Sequence, residues 1–182
     1  PAFEGACTSH GMRADDGALE KVQLDDQGMH LRVIGGVRPT GICGSGIVDL
    51  LAELRRRRVI GPRGALRDHP LVRRGAAGPE FVVASGEATG TGRDVVVTQR
   101  DIGEIQLAKA AVRAGIGILL EDAGIGEHEI DELLIAGGFG SGVDPRSAVG
   151  IGMFPLLPPA RFRQVGNAAG AGARLVLVSK RG

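Results

Sequence analysis

Apolar and polar residues alternate along 18–24 (Ala-Leu-Glu-Lys-Val-Gln-Leu) and again along 29–34 (Met-His-Leu-Arg-Val-Ile), with Asp25-Asp26-Gln27-Gly28 between them. Period-two alternation around a turn-rich joint predicts a β-hairpin with one solvated face. A loop over 35–41 follows. Beyond it Ile47, Val48, Leu50, Leu51 and Leu54 recur at helical spacing as far as Arg58. Residues 61–93 are expected to be a surface insertion. Within them, 61–80 carries Pro62, Gly64, Pro70, Gly75, Gly78 and Pro79 with few apolar anchors. Short strands are expected at 81–84 and 94–97, joined by a glycine-rich loop.

Thr98-Gln99-Arg100-Asp101 sets a capping box. The helix after it places Ile102, Ile105, Ala108, Val112, Ile116 and Leu119 on one stripe and should end near Gly124. A short helical start at 127–131 leads into Glu132-Leu133-Leu134-Ile135-Ala136, apolar on both faces as in a buried parallel strand. Asp144-Pro145 opens another helix. Residues 161–165 form a further strand, and 167–180 a helix rich in Ala and Gly. This order predicts an α/β fold of the ribonuclease-H-like kind: a mixed sheet, βββαβαβ in outline, with helices on both faces and a helical insertion.

Composition narrows the classes. The 182 residues are 43% hydrophobic and 24% charged, which excludes a disordered chain. Apolar stretches such as Ala114 to Leu120 are far short of the ~18 residues of a membrane helix. The opening residues lack the basic-then-apolar pattern of a signal peptide, so none is expected, and a reduced cytoplasmic setting is expected. A net charge of +1 and the absence of Trp and Tyr argue against nucleic acid as a partner. Glycine is the anomaly, at 31 residues, about 17% against a usual ~7%. The opening Pro1-Ala2-Phe3-Glu4-Gly5 reads like the middle of a longer polypeptide, so 1–182 is expected to be one piece of it.

Several motifs invite chemistry. Leu133 to Ala136 runs directly into Gly137-Gly138-Phe139-Gly140, and the C-terminal end of such a strand is where open α/β sheets bind ligands. A tight strand-to-helix turn is the equal alternative. Gly44-Ser45-Gly46 opens a helix whose free amides would favour an anion, or else Ser45 merely caps it. No Lys-Ser or Lys-Thr follows, so it is not a Walker loop. Gln106 and Lys109 share a helix face where a cation would meet a ribose or phosphate, with an ordinary solvated lysine as the alternative. Arg55 to Arg58 complement a helix C-terminus. His10, His30, His69 and His128 show no metal-ligand spacing, and Cys7 and Cys43 are most simply small buried residues. Asp15-Asp16-Gly17 reads as a turn.

Seven motifs in order carry a resemblance over nearly the whole chain: Pro1 to Ala6, Gly11-Met12-Arg13-Ala14, Pro39 to Gly46, Thr98 to Ile102, Gln106 to Ala110, Ala136 to Gly140, and Val165 to Gly170. Together they resemble the C-terminal actin-like (ASKHA) ATPase region of the reductive activators of corrinoid proteins. The resemblance implies ATP with Mg²⁺ as ligand and a corrinoid protein of a methyltransferase system as partner, with a homodimer left open. It implies Gly137, Gly138, Phe139 and Gly140 as the adenosine motif and Gly44, Ser45 and Gly46 as lining of the nucleotide cleft. The 2Fe–2S cluster of such activators belongs to an N-terminal region not matched here, and the Asp-x-Gly-Thr phosphate hairpin lies upstream. These residues by themselves are then expected to hold half a nucleotide site, no redox centre and no turnover. A non-catalytic docking domain for the corrinoid protein, and a subdomain of another actin-like ATPase such as an acyl-CoA dehydratase activator, are the alternatives.

Overall fold

A computed structural model describes residues 8–138 and 142–179. The hairpin forms as the alternation predicts, from β1 (Ala18–Asp25) and β2 (Gly28–Val33), paired antiparallel. The turn at Asp15-Asp16-Gly17 is also present, with the Asp15 carboxylate accepting from the Asp16 amide and Gly17 at φ +87°. β3 (Gly41–Ile42) joins β1 in parallel and makes this first sheet mixed. Helix α1 (Gly44–Arg56) then packs its Ile47, Val48, Leu50, Leu51 and Leu54 face on that sheet. At its end Arg56 and Arg57 donate to the Leu24 carbonyl and pair with Glu53 and Asp26, so the arginine run fastens the helix to the hairpin.

The second sheet is the antiparallel set β4 (Val72–Gly75), β5 (Gly78–Ala84) and β6 (Val95–Thr98). It corrects the expectation for 61–93. That stretch lies only partly on the surface, because β5 drives Phe81, Val83 and Ala84 into the core. Phe81 is fully buried, in one cluster with Leu19, Val48, Leu54, Val95 and Ile102. A buried side chain of this size contributes about 1.5–3 kcal/mol through apolar burial. Few apolar residues anchor 61–80, but those of β5 suffice.

Helix α2 (Gln99–Ala123) starts at the capping box: the Thr98 hydroxyl accepts from the Asp101 amide at 3.1 Å, and the Asp101 carboxylate accepts from the Thr98 amide at 2.9 Å. It ends at Gly124 in the left-handed region. Its stripe is buried over Ile102, Ile105 and Ala108 but emerges further on, where Leu119 is 69% exposed. The third sheet is the parallel pair β7 (Leu133–Ala136) and β8 (Phe162–Gly166). β7 is not buried on both faces as its composition suggested: Ile135 is buried, whereas Leu134 is 52% exposed. Helix α3 (Pro145–Gly150) begins at Asp144, whose carboxylate accepts from the Arg146 amide. Helix α4 (Ala168–Val178) buries none of its residues and covers no sheet, against expectation, with Leu177 86% exposed.

The α/β order is therefore the expected one, while its strands are shared among three small sheets among the described residues. Among those residues no helix is long and apolar enough to cross a membrane. Replacing Thr98 with Ala should lower stability by about 1 kcal/mol. Denaturant titration of the variant checks this, and a loss indistinguishable from zero would mean that Asp101 holds the helix start without its partner.

Candidate functional site

The start of α1 is built onto β1. The Cys43 amide and thiol both donate to the Leu19 carbonyl, at 3.1 and 3.3 Å, and the Ser45 hydroxyl donates to the Glu20 carbonyl at 3.1 Å. Gly46 permits this approach, because a Cβ there would collide with the Leu19 carbonyl oxygen. Ser45 is thus not the helix cap. Cys43 occupies that position and makes no side-chain cap, which leaves the first amides of α1 without a side-chain acceptor.

A cleft of about 1210 Å³ opens beside this helix start. Gly44 and Ser45 line it from one side, and Gly138, Gly142 and the beginning of α3 line it from another. The two glycine motifs meet here: an ideal Cβ on Gly142 would stand 3.3 Å from the Ser45 side chain. Gly137, at φ +93°, turns the chain out of β7 and donates its amide to the Gly166 carbonyl at 2.7 Å. Gly46 faces β1 and does not line the cleft. Phe139 and Gly140 lie outside the described residues.

The cleft is cationic. Arg13, Lys21, Arg32 and Arg146 line it against Glu20 and Asp144. Glu20 pairs with Arg32 at 2.7 Å and Asp144 with Lys21 at 3.8 Å. Among the described residues, Arg13 and Arg146 have no ion-pair partner. An uncapped helix N-terminus of thirteen residues and two unpaired guanidinium groups form a donor set for a phosphorylated ligand. Gly138 adds the space: among the described residues nothing stands within 4 Å of where its Cβ would be, so a side chain there would enter the cleft. A nucleotide fits these residues. A metal ion does not fit them by themselves, because among the described residues no three His, Cys, Asp or Glu side chains cluster.

Over residues 1–182 the sequence matches the family described as the C-terminal domain of RACo, the ASKHA domain. The chain belongs to this family. It is 40% identical over 190 residues to the corrinoid activation enzyme RamQ of Eubacterium limosum, covering 99% of this chain and 32% of that protein. A solved structure, the reductive activator for corrinoid, iron-sulfur protein, superposes with a TM-score of 0.92 at 39% identity, covering 100% of this chain and 30% of that one. The ASKHA domain described here thus spans about a third of the length of these relatives. Family and superposition agree with the actin-like α/β reading.

Gln106 and Lys109 are not in the cleft. The structure places them on α2 around a separate, smaller cavity with Arg55 and Gly64. Helical spacing put them on one face, as expected, but the face looks elsewhere. Sequence reasoning also passed over Asp49, which is 4% exposed in α1 and whose Oδ1 has no hydrogen-bond partner among the described residues. Its signal was a lone carboxylate inside the run Ile47-Val48-Asp49-Leu50-Leu51. Burial pushes the Asp49 carboxyl above the usual carboxylate range, and nearby Asp144 adds to this; the Ser147 hydroxyl, Lys21 and the Val22 amide oppose it.

The sign for stability follows. Between the ordinary carboxylate pKa and the raised one, the folded protein binds more protons than the unfolded chain, so stability falls as pH rises. Asp49→Asn removes the cost of burying the charge. The variant should unfold at a higher temperature than wild type at pH 7, with a smaller gain near pH 4. Thermal unfolding across this range checks it, and a variant equally destabilised at every pH would mean that the carboxylate itself is needed.

Proposed function

We propose that this ASKHA domain is the nucleotide-binding part of an ATP-dependent reductive activator that supports reduction of cob(II)alamin in corrinoid proteins of methyl-transfer systems. One observation carries the proposal: the uncapped start of α1, the glycine turn after β7 and two unpaired arginines converge on a single cleft. The names of the two relatives, a corrinoid activation enzyme and a reductive activator, supply the reaction class.

ATP, when bound, supplies the free energy that couples activation to an otherwise unfavourable reduction. The work of these residues is binding and orientation. Gly138, next to the turn that Gly137 makes out of β7, offers the adenosine a position without a side chain. The amides of Gly44 and Ser45, with Arg13 and Arg146, face the phosphates. Lys21 and Arg32 are held by their carboxylate partners and shape the wall between. The ligands of Mg²⁺ and of the 2Fe–2S cluster come from outside these residues, since Glu20 and Asp144 are committed to ion pairs and Cys7 and Cys43 are too few for a cluster. The corrinoid protein is the partner, the setting is cytoplasmic, and a homodimer is compatible with this reading.

Gly138→Val tests it in the full-length protein. Gly138 is outside the left-handed region, and among the described residues nothing stands within 4 Å of its Cβ position, so the variant should fold normally. ATP affinity measured by calorimetry should fall tenfold or more, which is about 1.4 kcal/mol. Unchanged affinity in a folded variant would remove the glycine turn from the site.

A further inference from the structure

We propose that the smaller cavity, where the end of α1 meets α2, is a binding site for a single oxyanion of the phosphate class. Arg55 reaches it from the last turn of α1, Gln106 and Lys109 from α2, and Gly64 from the intervening turn, above a floor that includes Ile105 and Ile151. The cavity measures about 70 Å³ and shares no lining residue with the large cleft. It has room for one small ion and not for a nucleoside.

The charge pattern favours an anion. No carboxylate lines the cavity. Among the described residues, neither Arg55 nor Lys109 has an ion-pair partner. Arg55 and Lys109 both line the cavity, and burial, then the neighbouring Arg55 charge, hold the Lys109 ammonium below the usual lysine range, so the two cations repel each other there. Such a pair is unfavourable when the cavity holds water and favourable when it holds an anion. The donors also suit a tetrahedral ion. Arg55 offers a planar fork from α1, and Lys109 a compact charge and Gln106 a carboxamide from α2. Gln106 is closely fitted at its position, because a Cβ on Gly64 would collide with its carboxamide. Close packing against a glycine at φ +83° limits the orientations of that amide.

The ion has two sources with the same chemistry, free inorganic phosphate and the terminal phosphoryl group of a nucleotide. The test uses the full-length protein. Thermal unfolding is followed while inorganic phosphate, ADP or adenosine is titrated, with chloride at matched ionic strength as the control. Phosphate should raise the unfolding midpoint beyond chloride, and both Lys109→Met and Arg55→Gln should lose that rise while keeping wild-type ATP affinity in the cleft. Without phosphate, Lys109→Met should unfold at or above the wild-type midpoint, since it removes an unpaired cation that faces another. If one variant does not fold, the other still decides. A Lys109-dependent response to phosphate assigns the site to the free ion, and one to ADP with none to phosphate or adenosine assigns it to a phosphoryl terminus. A response that matches chloride, or that persists in both variants, overturns the proposal. Gly138→Val should leave the phosphate response intact, which separates this site from the nucleotide cleft.

Discussion

The contact of α1 with β1 at Gly46 is the constraint on which the rest depends. A helix can start this close to a strand only where no Cβ intervenes, and Gly46 meets the Leu19 carbonyl at just that point. The approach brings Cys43 and Ser45 within reach of the Leu19 and Glu20 carbonyls, which accept their hydrogen bonds. With Ser45 committed to Glu20, it cannot cap the helix, and the amides at the start of α1 remain open toward the cleft. Gly142 then closes on Ser45 from the opposite side. The packing of α1 on β1 thus also leaves the helix start open to the cleft.

This arrangement explains why the cleft is electrostatically one-sided. The two carboxylates that line it are neutralised by Lys21 and Arg32, leaving two guanidinium groups and the helix dipole in excess. Within the influence of the Lys21–Asp144 pair is Asp49, buried, bonded to Ser147 and with Oδ1 unpartnered among the described residues. A carboxylate kept there at a cost to stability links α1, β1 and α3, the elements that frame the cleft.

Local signals were legible in the sequence because they are complete within a few residues. The hairpin at 18–33, the capping box at Thr98 and Asp101, the cap at Asp144 and the glycine stop at Gly124 all form as read. Burial was less legible, because it depends on what lies opposite. Leu134, Leu119 and Leu177 carry the apolar patterns of a core strand and core helices, yet all three are exposed. A pattern states which face seeks cover and not whether cover is present. The same limit explains Gln106 and Lys109. Helical phase placed them together, but only the folded structure shows that they line a cavity with Arg55 and not the cleft at the Gly138 turn. Phe81 makes the converse point: its short strand was legible, but the full burial of its side chain beside a stretch dense in Gly and Pro was not.

The central claim is that nucleotide phosphates meet the start of α1 opposite the turn after β7. Hydrogen exchange of the full-length protein, followed by mass spectrometry with and without saturating ATP, tests it most directly. The account predicts slowed exchange in peptides covering 43–47 and 136–146, with little change at 60–66 and in the hairpin turn at 25–28. Protection elsewhere in the protein, with 43–47 and 136–146 unchanged, would contradict it.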